Sequence, residues 1–189
     1  MAKTSEPRER LLRQASQIFY TEGIHAIGVD RIIADAQSTR ATFYRHFPGK
    51  ESLVVAYLQA ADAQIRAQVA EVVADRPAVD AVRAVAAGIA GQIGGAGFRG
   101  CAFINAVTEY PDPSHPVHRV VVEHRDWFLK TAIGLFGDES TGRQFVMLRD
   151  GAMTAGCISD AEEVVETFLS SVEGILRSHA IGASATSDG

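Results

Sequence analysis

A short run of hydrogen-bond donors at residues 40–46 is the stretch of this 189-residue sequence whose chemistry is easiest to interpret. Guanidinium groups, hydroxyls and an imidazole recur there within a pattern that predicts a helix over 39–47. Such groups donate hydrogen bonds to phosphate oxygens and to base edges. The outward positions are Arg40, Thr42, Tyr44 and Arg45, with His46 near the end. The run is too short and polar for a core element, so it predicts a nucleic-acid contact surface.

Two short helical patterns position these side chains. Residues 29–36 place Ile32, Ile33 and Ala36 at helical spacing, which predicts a short amphipathic helix. After a polar break, Thr39 is suited to cap a second helix, and Pro48-Gly49 ends it. The second helix is expected to turn Ala41, Phe43 and Phe47 toward the first. Two short helices joined by a few polar residues are typical of a helix-turn-helix.

The residues of this region also match a known family. The segment Thr-Phe-Tyr-Arg-His-Phe-Pro-Gly-Lys-Glu-Ser-Leu at 42–53, preceded by Gly23 and Ile32-Ile33-Ala34, closely resembles the DNA-binding segment of TetR-family transcriptional regulators. The rest of the chain resembles the family only in length and helical character. The sequence departs from the family in the turn, where Gln37-Ser38 replaces a glycine followed by an apolar residue. We therefore expect a turn without a left-handed glycine.

The resemblance implies an all-α fold, with an N-terminal three-helix head containing the helix-turn-helix and a C-terminal helical body for ligand binding and dimerisation. It implies a repressor rather than an enzyme. This repressor would bind double-stranded DNA as a homodimer at a pseudo-palindromic operator, and a small-molecule inducer would release it. No cofactor and no metal are expected.

The resemblance also assigns roles within the head. Arg40, Thr42 and Arg45 are expected to face bases or nearby phosphates, while Tyr44, His46 and Lys50 hold the DNA backbone. Lys50 would do so from the start of the fourth helix, where the helix dipole favours an anion. The full set expected to contact DNA is Arg31, Thr39, Arg40, Thr42, Tyr44, Arg45, His46 and Lys50.

Charge is distributed unevenly along the chain. The net charge is −5, but residues 1–50 hold eight basic and five acidic side chains and so carry +3, which leaves −8 for the remainder. A basic DNA-contacting segment joined to an acidic body would show this asymmetry. A +3 segment is only mildly basic, so the charge alone does not decide for nucleic acid.

Composition excludes several other classes. No apolar run is long enough to span a bilayer, and the N-terminal residues lack the apolar core of a signal peptide, so a cytoplasmic protein without membrane contact is expected. The two cysteines, Cys101 and Cys157, are too few for a disulfide framework. Each is expected to be a small buried residue, with a redox switch as the alternative.

The remaining periodicity predicts helices only. A first helix begins at Pro7 and stops at Gly23, a fourth runs from Lys50 to the segment 75–77, and the body contains helices near 78–94, 101–110, 115–136, 140–158 and 160–180. The predicted organisation is a DNA-binding domain over 1–49, a ligand-binding and dimerisation domain over 50–181, and a disordered tail over 182–189.

The last two helices carry more apolar surface than a thin helical body can cover. In the resembling family the final two helices of each subunit form a four-helix bundle across a two-fold axis, so a homodimer is expected. The alternative is that these apolar stripes form only the core of one chain. The residues expected at the dimer interface are Phe145, Leu148, Phe168, Leu169, Val172 and Ile175.

Between the head and these helices, residues 85–135 combine many apolar and aromatic side chains with few polar ones. This composition is typical of a pocket for a small molecule, and its apolar aromatic bias favours a hydrophobic or amphipathic inducer. Each polar candidate could equally be an ordinary surface or core side chain. The candidate ligand-contacting residues are Phe98, Phe103, Asn105, Tyr110, His118 and Trp127, with Glu109 and His124 as further polar candidates.

Two other classes of protein remain open at this point. His115 and His118 could share a helix face in a zinc enzyme, but His124 lies about 240° further round the helix from His118. The sequence also lacks a glycine-rich phosphate loop and a nucleophile elbow. A structural DNA-binding protein without a sensor would need the head but not the large aromatic body.

Overall fold

The computed structural model describes residues 6–186, and their side chains as far as His179. Helices are the only regular elements in this range, as the sequence predicts. They are α1 (Glu6–Glu22), α2 (Val29–Asp35), α3 (Arg40–His46), α4 (Lys50–Val73), α5 (Ala78–Ile93), α6 (Ala102–Glu109), α7 (Pro116–Phe136), α8 (Glu139–Ala155) and α9 (Ala161–Thr186).

The chain divides into two compact units. The first contains the residues up to Gln64 together with Ala102–His124, and the second contains Ile65–Cys101 and the residues from Arg125 onward. This division by packing does not coincide with the predicted boundary between residues 49 and 50. The segment that contains α6 and the start of α7 belongs to the same unit as the helix-turn-helix. The boundary at residue 50 stays a prediction about function.

The core of the first unit is formed where α1, α2 and α3 contact one another. Leu11, Ile32 and Phe43 are fully buried, at 0% exposure. Phe19 of α1 also lies near Tyr57 of α4, with ring centroids 5.9 Å apart. Burial of these side chains is the main stabilising term for this core, because α2 and α3, with seven residues each, are too short to be stable alone.

The core of the second unit lies where α8 and α5 pack against α9. Phe145 is surrounded by three aromatic rings, those of Phe128, Phe136 and Phe168, at centroid distances of 5.6–6.4 Å. At Gly142 the helices α7 and α8 are so close that a Cβ atom would lie 2.9 Å from the backbone of Ile133. Only glycine permits this contact between the two helices.

A charged residue is also buried in this second core. Arg149 is 9% exposed, and its guanidinium lies 3.0 Å from Asp150, 3.4 Å from the Cys101 sulfur and 5.5 Å from the ring centroid of Phe128. Burial by itself lowers the pKa of Arg149, but the Cys101 sulfur and Asp150 together raise it above its ordinary value. The buried guanidinium therefore stays charged.

The structure corrects the expectation for one cysteine and shows where three expected interface residues lie in a single chain. Phe145, Phe168 and Val172 are each 1% exposed within a single chain, because their rings and methyl groups fill the core between α8 and α9. Their expected place at a dimer interface stays a prediction. Cys157 is exposed rather than buried, since it lies in the turn after α8, whereas Cys101 is buried as expected, and both thiols are free.

The expected disordered tail is also wrong in part. Helix α9 continues to Thr186, beyond the predicted limit at residue 181. A single glycine at 182 does not end the helix, since no proline follows it in the sequence. Residues 187–189 lie outside the described residues.

Candidate nucleic-acid interface

The turn between α2 and α3 sets the direction of the contact helix. Gln37 adopts a φ of +48°, so the left-handed conformation is present although glycine is not. The Ser38 amide then donates to the Ile33 carbonyl at 2.9 Å, and Arg10 of α1 donates to the Ala36 carbonyl at 2.9 Å. The Ser38 hydroxyl is buried without a hydrogen-bond partner. The turn is thus well held at its backbone but strained at Gln37 and unsatisfied at Ser38.

Thr39 caps the contact helix as its sequence position predicts. Its backbone is extended, and its hydroxyl oxygen accepts the Thr42 amide at 3.1 Å. The Thr39 and Thr42 hydroxyls are also 3.0 Å apart. This geometry satisfies one of the free amides at the start of α3 and fixes where the helix begins.

One side of α3 is buried against the rest of the head. Phe43 and Phe47 are 0% and 2% exposed, and their ring centroids are 5.9 Å apart. The guanidinium of Arg8 in α1 lies 5.2 Å from the Phe47 ring centroid. Ala41 was expected on this side but is exposed. It lies two residues before Phe43, and two residues of an α-helix correspond to a rotation of about 200°, so the two side chains face opposite sides.

The opposite side of α3 presents the predicted donors to solvent. Arg40 is 69% exposed and pairs with Asp30 of α2 at 2.7 Å, while Tyr44 is 53% exposed and its ring packs edge-on against Phe43 at 5.2 Å. Arg45 is exposed and His46 is half-buried. An exposed ion pair such as that of Arg40 is worth little in water, so a phosphate or base can replace Asp30 at small cost.

Arg31, another predicted DNA-contacting residue, is paired with two carboxylates inside the chain. Its guanidinium lies 2.6 Å from Asp35 and 3.4 Å from Glu22, and the hydrogen bond to Asp35 raises the pKa of Arg31. The spacing of four residues between Arg31 and Asp35 could have revealed this pair in the sequence. The contact with Glu22 depends on how α1 packs and carried no such signal.

Lys50 is the first residue of α4 and lies beside the turn between α1 and α2. Its ammonium donates to the backbone carbonyl of His25 at 3.4 Å. Partial burial lowers the pKa of Lys50, and the negative charge of Glu109 opposes that shift. The ammonium is therefore held beside this turn by a backbone acceptor.

The six predicted ligand-contacting residues fall into different packing units. Phe103, Asn105, Tyr110 and His118 belong to the first, and Phe98 and Trp127 to the second. His118 contacts the Tyr110 carbonyl at 2.9 Å, whereas Asn105 is exposed on α6. Trp127 lies beneath the guanidinium of Arg66, 4.4 Å from the ring centroid. Their assignment to a ligand stays a prediction.

The histidines considered for zinc have other partners. His115 lies 3.5 Å from Glu51, and His124 lies 2.7 Å from Asp62. Among the residues that the structure describes, no three metal-ligating side chains converge. No helix in the described range is long and apolar enough to cross a membrane.

Comparison with known proteins agrees with this geometry. Residues 11–57 match the family model described as bacterial regulatory proteins, tetR family. A crystal structure of a TetR-family transcriptional regulator from Streptomyces coelicolor is 57% identical, with a TM-score of 0.90, over 93% of this chain and 96% of that one. The chain belongs to the TetR family. It is a member of a family of DNA-binding transcriptional regulators rather than of a family of enzymes.

Two curated relatives from Bacillus subtilis match a shorter part of this TetR-family chain. The uncharacterized HTH-type transcriptional regulator YxaF is 34% identical over 56 residues, which is 29% of each chain. The HTH-type transcriptional regulator LmrA is 30% identical over 67 residues, or 35% of this chain and 36% of LmrA. The chain thus matches about a third of the length of each of these relatives.

Proposed function

We propose that this TetR-family protein is a homodimeric repressor that binds a pseudo-palindromic operator and leaves it when a small hydrophobic or amphipathic molecule binds. The observation that carries the proposal is that α3 has one buried aromatic side and one exposed side rich in hydrogen-bond donors. Phe43 and Phe47 anchor one side, and the donors of Arg40, Tyr44 and Arg45 occupy the other. A rigidly held helix with donors on its free side suits the major groove.

Within this proposal the residues of the head differ in the part of the DNA that they contact. Arg40 and Thr42, near the N-terminus of α3, contact base edges, with Arg45 at bases or adjacent phosphates. Tyr44, His46 and Lys50 contact the phosphate backbone. Thr39 acts mainly as the cap, and Arg31 reaches DNA only by giving up Asp35 or Glu22.

An open apolar groove between α8 and α9 supports the dimer. It encloses about 530 Å³ and is lined by Met147, Leu148, Gly151, Ala152, Ala155, Ser159, Glu163, Val164, Thr167 and Phe168. Met147 is 70% exposed, and Ile158, just after α8, is 82% exposed. Water contact with so much apolar surface is unfavourable, so a second copy of α8 and α9 is the proposed cover. Leu148, Leu169 and Ile175, all partly exposed, remain as interface residues.

The inducer is proposed to act by shifting an equilibrium between two arrangements of the dimer. Two-fold symmetry places the two α3 helices in successive major grooves about one helical turn apart. A ligand that binds better to another arrangement changes that separation and lowers DNA affinity. The shift is limited by the ratio of the ligand's affinities for the two arrangements.

Selection of bound duplexes from random DNA tests the function directly. We expect a palindromic consensus with half-sites centred about 10 base pairs apart, recovered from the full-length protein at fixed salt. Recovery of sequences without two-fold symmetry would contradict a symmetric dimer. Binding to all duplexes with equal affinity would instead indicate a structural DNA-binding protein.

Two substitutions separate base contacts from phosphate contacts on the selected DNA. Lys50→Ala should weaken binding to every duplex alike and reduce the salt slope by about one phosphate contact. Arg40→Ala should cost about 1–3 kcal/mol on the consensus and much less on random DNA. Identical losses on both DNAs for both variants would refute the assignment.

Trp127 provides a spectroscopic test of the inducer site, because it is the only tryptophan in the chain. Candidate hydrophobic molecules are screened by their effect on DNA binding and on Trp127 fluorescence. A molecule that releases DNA should also change the emission if it contacts the ring or displaces Arg66. Release of DNA without any spectral change would place the ligand elsewhere.

A further inference from the structure

The turn after α1 is held by a carboxylate 85 residues away in the sequence. Glu109, the last residue of α6, accepts the backbone amide of Ile24 at 2.9 Å and that of His25 at 2.5 Å, one with each oxygen. Gly23, with a φ of +89°, precedes the two amides and allows them to point to the same side. Successive amides in such a turn form a concave site for an anion. Glu109 is that anion, and its side chain is only 23% exposed.

His25 is also held through its carbonyl and its ring. The carbonyl of His25 accepts from the Lys50 ammonium at 3.4 Å, and the His25 ring packs on Tyr110 with centroids 4.8 Å apart. Glu109 therefore fixes the amide of His25, and the first residue of α4 fixes its carbonyl. Because Lys50 is a proposed phosphate contact, the position of this turn bears on DNA binding.

The opposite end of α6 is attached to α4 and α7. The Phe103 ring stacks on the ring of His124, with centroids 3.6 Å apart and planes 5° from parallel. His124 is buried, and its Nδ1 lies 2.7 Å from the Asp62 carboxylate of α4. Helix α6 is eight residues long, or about 12 Å, and is therefore a short rigid connection between Phe103 and Glu109.

We propose that Glu109 is a positioning residue, which sets the placement of the head and transmits displacements of α6 to it. When α6 moves at Phe103, Glu109 moves with it, and the amides of Ile24 and His25 must either follow it or lose a charged acceptor. Hydrogen bonds to a carboxylate are stronger and more directional than those to water, so the head follows the helix. The proposal rests on the proposed function, because it assigns a regulatory role to contacts beside the DNA-binding helices.

Hydrogen exchange tests the contact itself without any DNA. In Glu109→Ala we expect the amides of Ile24 and His25 to exchange about tenfold faster or more, because a hydrogen bond to a charged group is lost. Glu109→Gln, which keeps one acceptor oxygen, should give an intermediate rate. The matched control is Glu123→Gln on α7, which removes the same charge from an exposed position of the same unit and should leave both amides unchanged.

Transmission through α6 is tested by combining changes at its two ends. Phe103→Leu removes the ring stacked on His124 and is expected to weaken binding to the selected DNA about threefold or more, in the wild-type and in the Glu123→Gln background. In the Glu109→Ala background the same change should have almost no effect, since the two residues then no longer act on the head together. If circular dichroism shows that Phe103→Leu does not fold, His124→Gln is used instead, because it changes the α7 ring on which Phe103 stacks.

Each result decides a separate question. Unchanged exchange at Ile24 and His25 in Glu109→Ala overturns the positioning role, whether or not the protein binds DNA. An equal effect of Phe103→Leu in both backgrounds, or none in either, overturns transmission through Glu109. If the wild-type protein binds no DNA at all, the proposed function fails while the exchange result still stands.

Discussion

The α3 surface of the head and the groove between α8 and α9 are both proposed to bind macromolecules, yet they are built differently. The α3 surface consists of exposed donors within one seven-residue helix, and Phe43 beneath them is fully buried. The groove consists of apolar side chains from two helices, and residues such as Met147 stay exposed. Charged donors can remain solvated until DNA arrives, whereas an exposed apolar surface needs a permanent cover.

The difference also explains where the two surfaces deviate from expectation. In the head, the unexpected features are Gln37 and Ser38 in the turn and Ala41 on α3, which is exposed. In the body, three of the six expected interface residues, Phe145, Phe168 and Val172, are buried in the core of one chain. A polar surface is defined by which side chains are exposed, whereas apolar side chains on a helix can serve the core or an interface with the same periodicity.

Phe168→Ala is the strongest test of this distinction. If Phe168 belongs to the core of one chain, truncation should lower the free energy of unfolding by about 3–5 kcal/mol. Denaturant melts at several protein concentrations provide the measurement. The loss should be the same at every concentration. A loss that disappears on dilution would return Phe168 to the dimer interface.

Met147→Glu tests the groove from its exposed side. A carboxylate buried without a partner in a dimer interface should weaken association at least tenfold, or about 1.4 kcal/mol or more, while the single chain keeps its fold. Analytical ultracentrifugation would detect the shift toward monomer. Met147→Leu is the control and should leave the dimer intact. A Met147→Glu protein that dimerises normally would show that this part of the groove is not the interface.

Ser38→Ala should stabilise the head. The Ser38 hydroxyl is buried without a partner, so its removal should raise the free energy of unfolding by about 1 kcal/mol. Thermal melts followed by circular dichroism measure the gain, with Ser178→Ala at an exposed position of α9 as the control for the change in composition. Destabilisation by Ser38→Ala would mean that the hydroxyl has an acceptor after all.

Gln37→Gly should give the smallest effect. Glycine adopts the observed φ of +48° without steric cost but loses more entropy on folding, so the net gain should be at most about 1 kcal/mol. The same substitution at Gln68, inside α4, should instead destabilise by about 1 kcal/mol. Changes of opposite sign in the free energy of unfolding, measured by chemical denaturation, would confirm that the backbone is strained at Gln37. Equal losses at both positions would show that Gln37 is not strained.

Much of the fold could be predicted because helix boundaries depend on local chemistry. Thr39 caps α3, Gly23 follows α1 with a positive φ, and Gln37 and Ser38 separate α2 from α3, all as the sequence suggests. The end of α9 could not be placed in this way, because Gly182 is a weak signal where no proline follows. Ala41 was misplaced because helical rotation, not apolar character alone, decides which side a residue faces.

The family confirms the helix-turn-helix, the all-α class and DNA-binding regulation, which were predicted from residues within one short segment. Contiguous motifs of this kind are visible in a sequence because the chain itself brings their members together. The candidate ligand residues had no such motif. They were chosen by composition, and the packing units separate Phe98 and Trp127 from the other four.

The sequence by itself determined the helices, the donors on α3 and the charge asymmetry, because each follows from neighbouring residues. Only the tertiary structure decided that Phe145, Phe168 and Val172 are core, that Arg31 pairs with Glu22, and that Glu109 accepts the amides of Ile24 and His25. Contacts across 85 residues have no signature in local spacing. They arise when packed helices bring distant groups within hydrogen-bond distance, and burial and geometry then select among many partners that the sequence alone would allow.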